Sequence, residues 1–342
     1  MYRIKKTDLN ALYAAIAKTS GLFIPIRRAD EVNFAVWGEG KEVSLETLKT
    51  VKSPKNAFFP QTENMMKFKT EGKSVEVVDI RTEDKRPFVV FGVKACDVKA
   101  FEVLDRVFLA EPVDTFYQSR RNAITVVSLA CSRPEESCFC TAFGIDPTAP
   151  EGDVTTWLDG EYLYWRANNQ KGEALTEKLA SLLEKCGEEA VEAQRSQTKE
   201  ILKRLPLAAL DLSRFKEENL NELFNDPRWA ELSEACLGCG ACTFVCPTCQ
   251  CFDIRDFKTN SGVIRYRCWD SCMYSDFTLM AHGNSRTTQM QRYRQRFMHK
   301  LVYYPAQNGG LYSCVGCGRC VNKCPQNLNI VKVIKTLGGE KS

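Results

Sequence analysis

Cysteine carries the chemistry that can be read directly from this chain. Cys236, Cys239, Cys242 and Cys246, followed by Pro247, repeat the spacing of Cys314, Cys317, Cys320 and Cys324, followed by Pro325. Three cysteines with two residues between neighbours, a fourth after three more residues and then proline form the iron–sulfur run of bacterial type, in which the fourth cysteine ligates the other cluster. A short turn bearing three thiolates wraps three corners of one cubane, and the interspersed glycines let the backbone approach it. The spacing therefore predicts one 4Fe-4S cluster on Cys236, Cys239, Cys242 and Cys324, and a second on Cys314, Cys317, Cys320 and Cys246. Structural zinc sites pair two C-x-x-C hooks into one tetrahedron, which fits a repeated triplet poorly.

A second group lies in the N-terminal half: Cys96, Cys131, Cys138 and Cys140. Phe88 to Val93 and Ile124 to Ala130 are continuous apolar runs of the kind expected of strands covered on both faces. Cys96 and Cys131 lie just beyond their ends, at the carboxyl edge of a parallel sheet, where ligand sites collect. The Cys138-Phe139-Cys140 loop follows at once. A third 4Fe-4S cluster is expected on these four thiols, against the alternative of four small buried hydrophobes. Asp97 is either a substitute ligand or a helix cap. Among the remaining cysteines, Cys186 reads as inert. Cys249, Cys251, Cys268 and Cys272 either form a further site or pack around the clusters, and no recognised ligand spacing decides between the two.

The elements that must position these thiols follow from pattern. Ala100, Leu104, Val107 and Phe108 recur at helical spacing after the first apolar run, so strand, helix and strand suggest a parallel α/β unit. Thr155 to Trp165 alternates around Asp159-Gly160 and reads as a hairpin. Residues 1–173 are expected to form an α/β domain with the third iron–sulfur site, and 174–225 a helical connector. Met290, Tyr293, Phe297 and Leu301 form a helical stripe between the two motifs. Residues 226–342 are therefore expected to be a mainly helical two-cluster domain, of alpha-helical ferredoxin type.

Composition narrows the classes further. The 342 residues are 44% apolar and carry 47 basic and 43 acidic side chains, for a formal net charge of +4. That balance gives no footprint for nucleic acid. No stretch approaches the length of a membrane span. The opening residues Met1 to Asp8 lack the apolar core of a secretory signal. Seventeen cysteines, an odd number, cannot all pair within one chain. Their abundance suggests metal binding in a reducing, cytoplasmic setting. Gly38-x-Gly40 falls short of a dinucleotide fingerprint and no phosphate loop is present, so no flavin or NAD is expected on this chain. His282 and His299 offer little for a histidine-based active site. From Phe277 to Gly339 there is no acid but nine cations, among them Arg292, Arg296, Lys300 and Arg319. Cluster-charge compensation on an exposed helix face is the simplest reading, and docking of an acidic partner the other.

Gly92 to Asp97, Cys138-Phe139-Cys140, Cys246 to Phe252, Trp269-Asp270-Ser271-Cys272 and Cys314 to Cys320 together resemble the family that joins the anaerobic sulfite reductase A-subunit with the sulfhydrogenase beta subunit. The resemblance runs through most of the chain. It implies an iron–sulfur subunit of anaerobic metabolism with no substrate chemistry of its own. Such a subunit relays electrons between a catalytic subunit of hydrogenase, sulfite reductase or heterodisulfide reductase type and a flavin- and NAD(P)H-binding subunit, with ferredoxin a further candidate partner. It also carries cysteines matching the four N-terminal positions. The alternative is a catalytic reductase that binds substrate at the N-terminal cluster.

Overall fold

The computed structural model describes residues 1–80 and 86–338. Its larger sheet is built from β1 (Tyr2–Lys5), β2 (Gly21–Arg28) and β3 (Glu31–Val36), while β4 (Thr62–Glu71) and β5 (Ser74–Asp79) leave it for another sheet. It continues with β6 (Phe88–Val93), β7 (Ile124–Leu129), β8 (Val154–Asp159), β9 (Tyr162–Ala167) and β10 (Glu184–Lys185). The spatial order is β10-β1-β9-β8-β7-β6-β2-β3. Only β2, β6, β7 and β8 run parallel, and the flanking pairs are antiparallel, so the sheet is mixed.

The apolar run of β6 explains its central place. Val89 and Phe91 enter the core beneath helix Leu9–Thr19, with Leu12, Tyr13, Ile16 and Trp165. Val90 and Val93 point to the other face and pack with Phe101 and Leu104 of helix Ala95–Phe108. Alternation is broken after Phe91, where Gly92, at φ +86°, sits at a register shift in the β6–β7 pairing and puts Val93 on the face of Val90; both faces are apolar, as a doubly covered strand requires. The hairpin read from Asp159-Gly160 is β8 paired to β9.

The expectation of a mainly helical region over 226–342 is overturned. Two long strands, β11 (Phe252–Thr259) and β12 (Gly262–Trp269), form a hairpin there, and β12 pairs with β4 in a four-stranded antiparallel sheet, β11-β12-β4-β5. The local cause is visible in residues. Phe257, Val263, Ile264 and Tyr266 are β-formers on either side of a two-residue turn, Asn260-Ser261. Helices and loops make up most of the rest: Gln289–Met298 starts with a Thr288/Gln291 capping box, and Asn329 caps Ile330–Leu337. The Tyr293, Phe297 and Leu301 stripe lies in their shared core, as its spacing suggests.

A buried ion-pair network ties the smaller sheet to the helix that leads into β7. Arg267 on β12, 1% exposed at its side chain, meets Glu63 on β4 and Asp114, which caps helix Thr115–Ala123. Its guanidinium also lies over the rings of Phe59, Phe108 and Phe252. Removing one member of a buried pair leaves its partner charged and unpaired, at a cost of about 3–5 kcal/mol. Arg267→Ala is expected to lower unfolding stability by about that amount in a denaturant titration. A loss below about 1 kcal/mol would mean that the smaller sheet and helix Thr115–Ala123 are not joined through this charge.

Among the described residues, no helix is long and apolar enough to cross a membrane.

Candidate metal centre

The two cysteine motifs fold alike. In each, a pair of left-handed glycines, Gly238 and Gly240 or Gly316 and Gly318, turns the chain into a short helix, Ala241–Phe244 or Arg319–Lys323. These helices pack against each other, which draws the end of each motif toward the start of the other. Cys236, Cys239 and Cys242 line a cavity whose fourth cysteine is Cys324, with Tyr293 and Phe297 closing it. Arg296 also lines it and is 2% exposed. One guanidinium nitrogen donates to the Cys242 carbonyl at 3.1 Å, while Nε and Nη1 are buried without a partner. Unpaired buried donors on a permanent cation are costly. An anionic cluster on the four thiolates would satisfy both the charge and the donors, so the residues present fit a 4Fe-4S group.

The other set also assembles across the motifs. Cys246 lies close enough to act electrostatically on both Cys314 and Cys317, and Cys320 acts on the same two. Burial pushes the Cys317 thiol up to about 12 and raises that of Cys314 as well. Buried thiols of this kind stay protonated until a metal displaces the proton. Lys300, itself buried, donates to Thr248 Oγ1 at 2.8 Å and to the Ser313 carbonyl at 3.0 Å, and Thr248 Oγ1 contacts the Cys246 sulfur at 3.2 Å.

The N-terminal cysteines meet at the ends of β6 and β7. Cys96 sits in the first turn of helix Ala95–Phe108 and Cys131 follows β7, while Cys138 and Cys140 arrive on the next loop. Burial pushes Cys131 up to about 11, Lys94 opposes and Cys138 adds to the rise. Cys140 is raised by burial and then by Cys131 and Cys138, and Cys96 by burial and then Asp97. Cys317 contributes to both, so this group adjoins the second motif. Asp97 is neither ligand nor cap: it holds Arg319 through two 2.7 Å bonds, buried at both ends. The cap position belongs to Lys94.

The loops of the two groups touch through backbone. Phe139 N–H donates to the Gly316 carbonyl at 3.0 Å, and a β-carbon on Gly316, at φ +58°, would come within 2.4 Å of the Phe139 carbonyl carbon. Gly316→Ala is therefore expected to force the loops apart and lower iron content. Gly309→Ala, at φ +62° in open space, carries the backbone strain without the collision and should leave iron unchanged. Equal iron in both variants, measured anaerobically, would show the loop contact to be dispensable.

Residues 235–328 match the family model described as a 4Fe-4S dicluster domain. The chain is 31% identical over 324 residues to "Sulfhydrogenase 2 subunit beta" of Pyrococcus furiosus, an alignment that covers 91% of this chain and 90% of that one. The chain belongs to the sulfhydrogenase beta-subunit family. As a member it is an iron–sulfur electron-transfer subunit, and its dicluster domain carries two 4Fe-4S clusters. No solved structure matches it.

Sequence reasoning misses the burial of four cations around the family's cysteines. The basic stretch is expected on an exposed helix face, yet Arg296, Lys300 and Arg319 are all buried. Lys55, from the other end of the chain, is 1% exposed and places its ammonium on the carbonyls of Cys246 and Cys249, at 2.9 and 2.5 Å. Burial lowers it to about 8. No spacing rule links Lys55 to Cys246, and long cationic side chains read as surface by default. His299 is a half-buried packing residue, held neutral by desolvation and by Lys300 and Arg286, which lower it to about 4.

Proposed function

We propose that this chain relays single electrons between a catalytic subunit of hydrogenase, sulfite reductase or heterodisulfide reductase type and a flavin- and NAD(P)H-binding subunit. The observation that carries this reading is the cavity lined by three cysteines of one motif and Cys324 of the other, with the unpaired donors of Arg296 beside it. One cluster is assigned to Cys236, Cys239, Cys242 and Cys324, a second to Cys314, Cys317, Cys320 and Cys246, and a third to Cys96, Cys131, Cys138 and Cys140. Bound there, 4Fe-4S clusters supply one-electron transfer. The chain's own part is to place these three thiol groups in sequence, with Cys317 next to the N-terminal group, and to set Arg296, Lys300 and Lys55 beside the two motif groups. The Pyrococcus furiosus relative is one subunit of a sulfhydrogenase, which supports partners on either side. A cytoplasmic setting fits this chemistry, since free thiols in such number persist where the environment is reducing.

Nicotinamide gives up a hydride, two electrons at once, so a flavin must stand between it and one-electron centres. The anaerobic chain alone is expected to keep its cluster absorbance when NADH or NADPH is added, and to bleach once the flavoprotein partner is supplied. Rapid bleaching of the flavin-free chain would overturn the relay and favour a reductase.

A further inference from the structure

Five cysteines lie outside the three assigned groups, and the structure separates them. Cys186 sits at the sheet edge, its N–H on the Met1 carbonyl. Cys268 lies on β12 opposite Asp253, away from the other thiols. Cys249, Cys251 and Cys272 are brought together. Cys251 and Cys272 lie near enough to act on one another, Cys249 acts on its neighbour Cys246, and Cys249 lies within electrostatic reach of Cys272.

The backbone fixes this arrangement. Cys251 and Cys272 flank the open end of the β11–β12 hairpin, which starts with the Phe252–Trp269 pair, and Asp270 N–H donates to the Cys251 carbonyl at 2.9 Å. Ser271, fully buried beside Cys272, accepts from Thr243 Oγ1 at 2.8 Å. Lys55 clamps the Cys246 and Cys249 carbonyls and lies 4.1 Å from the centre of the Trp269 ring. Lys55, Lys300 and Arg296 all act on these thiols, and among the described residues none of the three pairs with a carboxylate. Arg296 and Lys300 also face the assigned clusters, while Lys55, on which Cys249 acts before Cys246, adds a buried cation on this side that favours an anionic occupant.

We propose that Cys249, Cys251 and Cys272 hold a further iron–sulfur cluster through three thiolates, beside the cluster that takes Cys246. A single ion is disfavoured by geometry, because among the described residues no three Cys, His, Asp or Glu side chains converge as one metal would require. A cubane takes each thiolate at a separate iron. Its fourth iron has no cysteine in this group, since Cys268 is held apart on its strand. The site stands or falls independently of the relay, which needs only the other clusters.

The test compares iron and acid-labile sulfide in the anaerobic full chain with those in Cys251→Ser, Cys272→Ser and Cys268→Ser. The first two variants are expected to lose about four irons each and Cys268→Ser none. Equal iron in all three would overturn the proposal. Crystals of the unaltered holo chain give a reading that needs no variant. Iron anomalous density between Cys249, Cys251 and Cys272 supports the site, and its absence there, with density at the other three, removes this cluster while leaving the relay intact.

Discussion

Cys324→Ala is expected to remove the cluster of the first motif and spare that of the second. The sequence distance is misleading: Cys324 closes the repeat that starts at Cys314, yet it lines the same cavity as Cys236, Cys239 and Cys242. Cys246 in turn acts on Cys314 and Cys317. This cavity is built to supply four thiolates, and taking one away strips an iron of a ligand that nothing else lining the cavity replaces, so the expected loss is about four irons per chain. Paired substitutions identify the cluster without spectral assignment. Cys236→Ala with Cys324→Ala should lose no more iron than either alone, whereas Cys314→Ala with Cys324→Ala should lose about eight. If instead the Cys314 pair behaves as one site and the Cys236 pair as two, each motif closes on itself and the crossed assignment is wrong.

The second large effect concerns potential rather than assembly. Arg296 is buried against the first cavity with two nitrogens unpartnered, so its charge is directed at the cluster and little screened by water. A unit charge about 6 Å from the cluster at an effective dielectric constant near 20 contributes about 3 kcal/mol, or roughly 100 mV for one electron. The sign follows from charge: reduction makes the cluster more negative, and the cation favours the reduced form. Arg296→Met is expected to lower the midpoint potential of that cluster by about 100 mV, while Arg296→Lys retains most of it. Potentiometric titration followed by EPR reads the shift. A Met variant that keeps both its iron and its potential would reduce Arg296 to a packing residue.

Legibility follows the range of the interactions. The Phe88–Val93 and Ile124–Leu129 strands and the 154–167 hairpin are visible in the sequence because their signals are local: alternation, apolar runs and an Asp-Gly turn. The cysteine motifs are visible because cluster wrapping imposes a fixed spacing. The β11–β12 hairpin has a local signal as well, in its β-branched and aromatic residues around Asn260-Ser261, but the stronger helical stripe at 290–301 masks it when extended over the whole region. Its partner β4 lies far earlier in the chain, and no pattern within Thr62–Glu71 announces that pairing. Burial of Lys55, Arg296 and Arg319 is illegible for the same reason. A buried cation is recognised only once its distant anion, here Asp97 or a group of thiols, is in place.

Counting electrons tests the central claim most directly. The anaerobic chain, with its iron content determined, is titrated with dithionite while its EPR spectrum is followed. A relay predicts uptake of about one electron per four irons, with signals that broaden one another as neighbouring clusters fill. A full complement of iron that accepts no electrons would make the clusters structural staples and contradict the account.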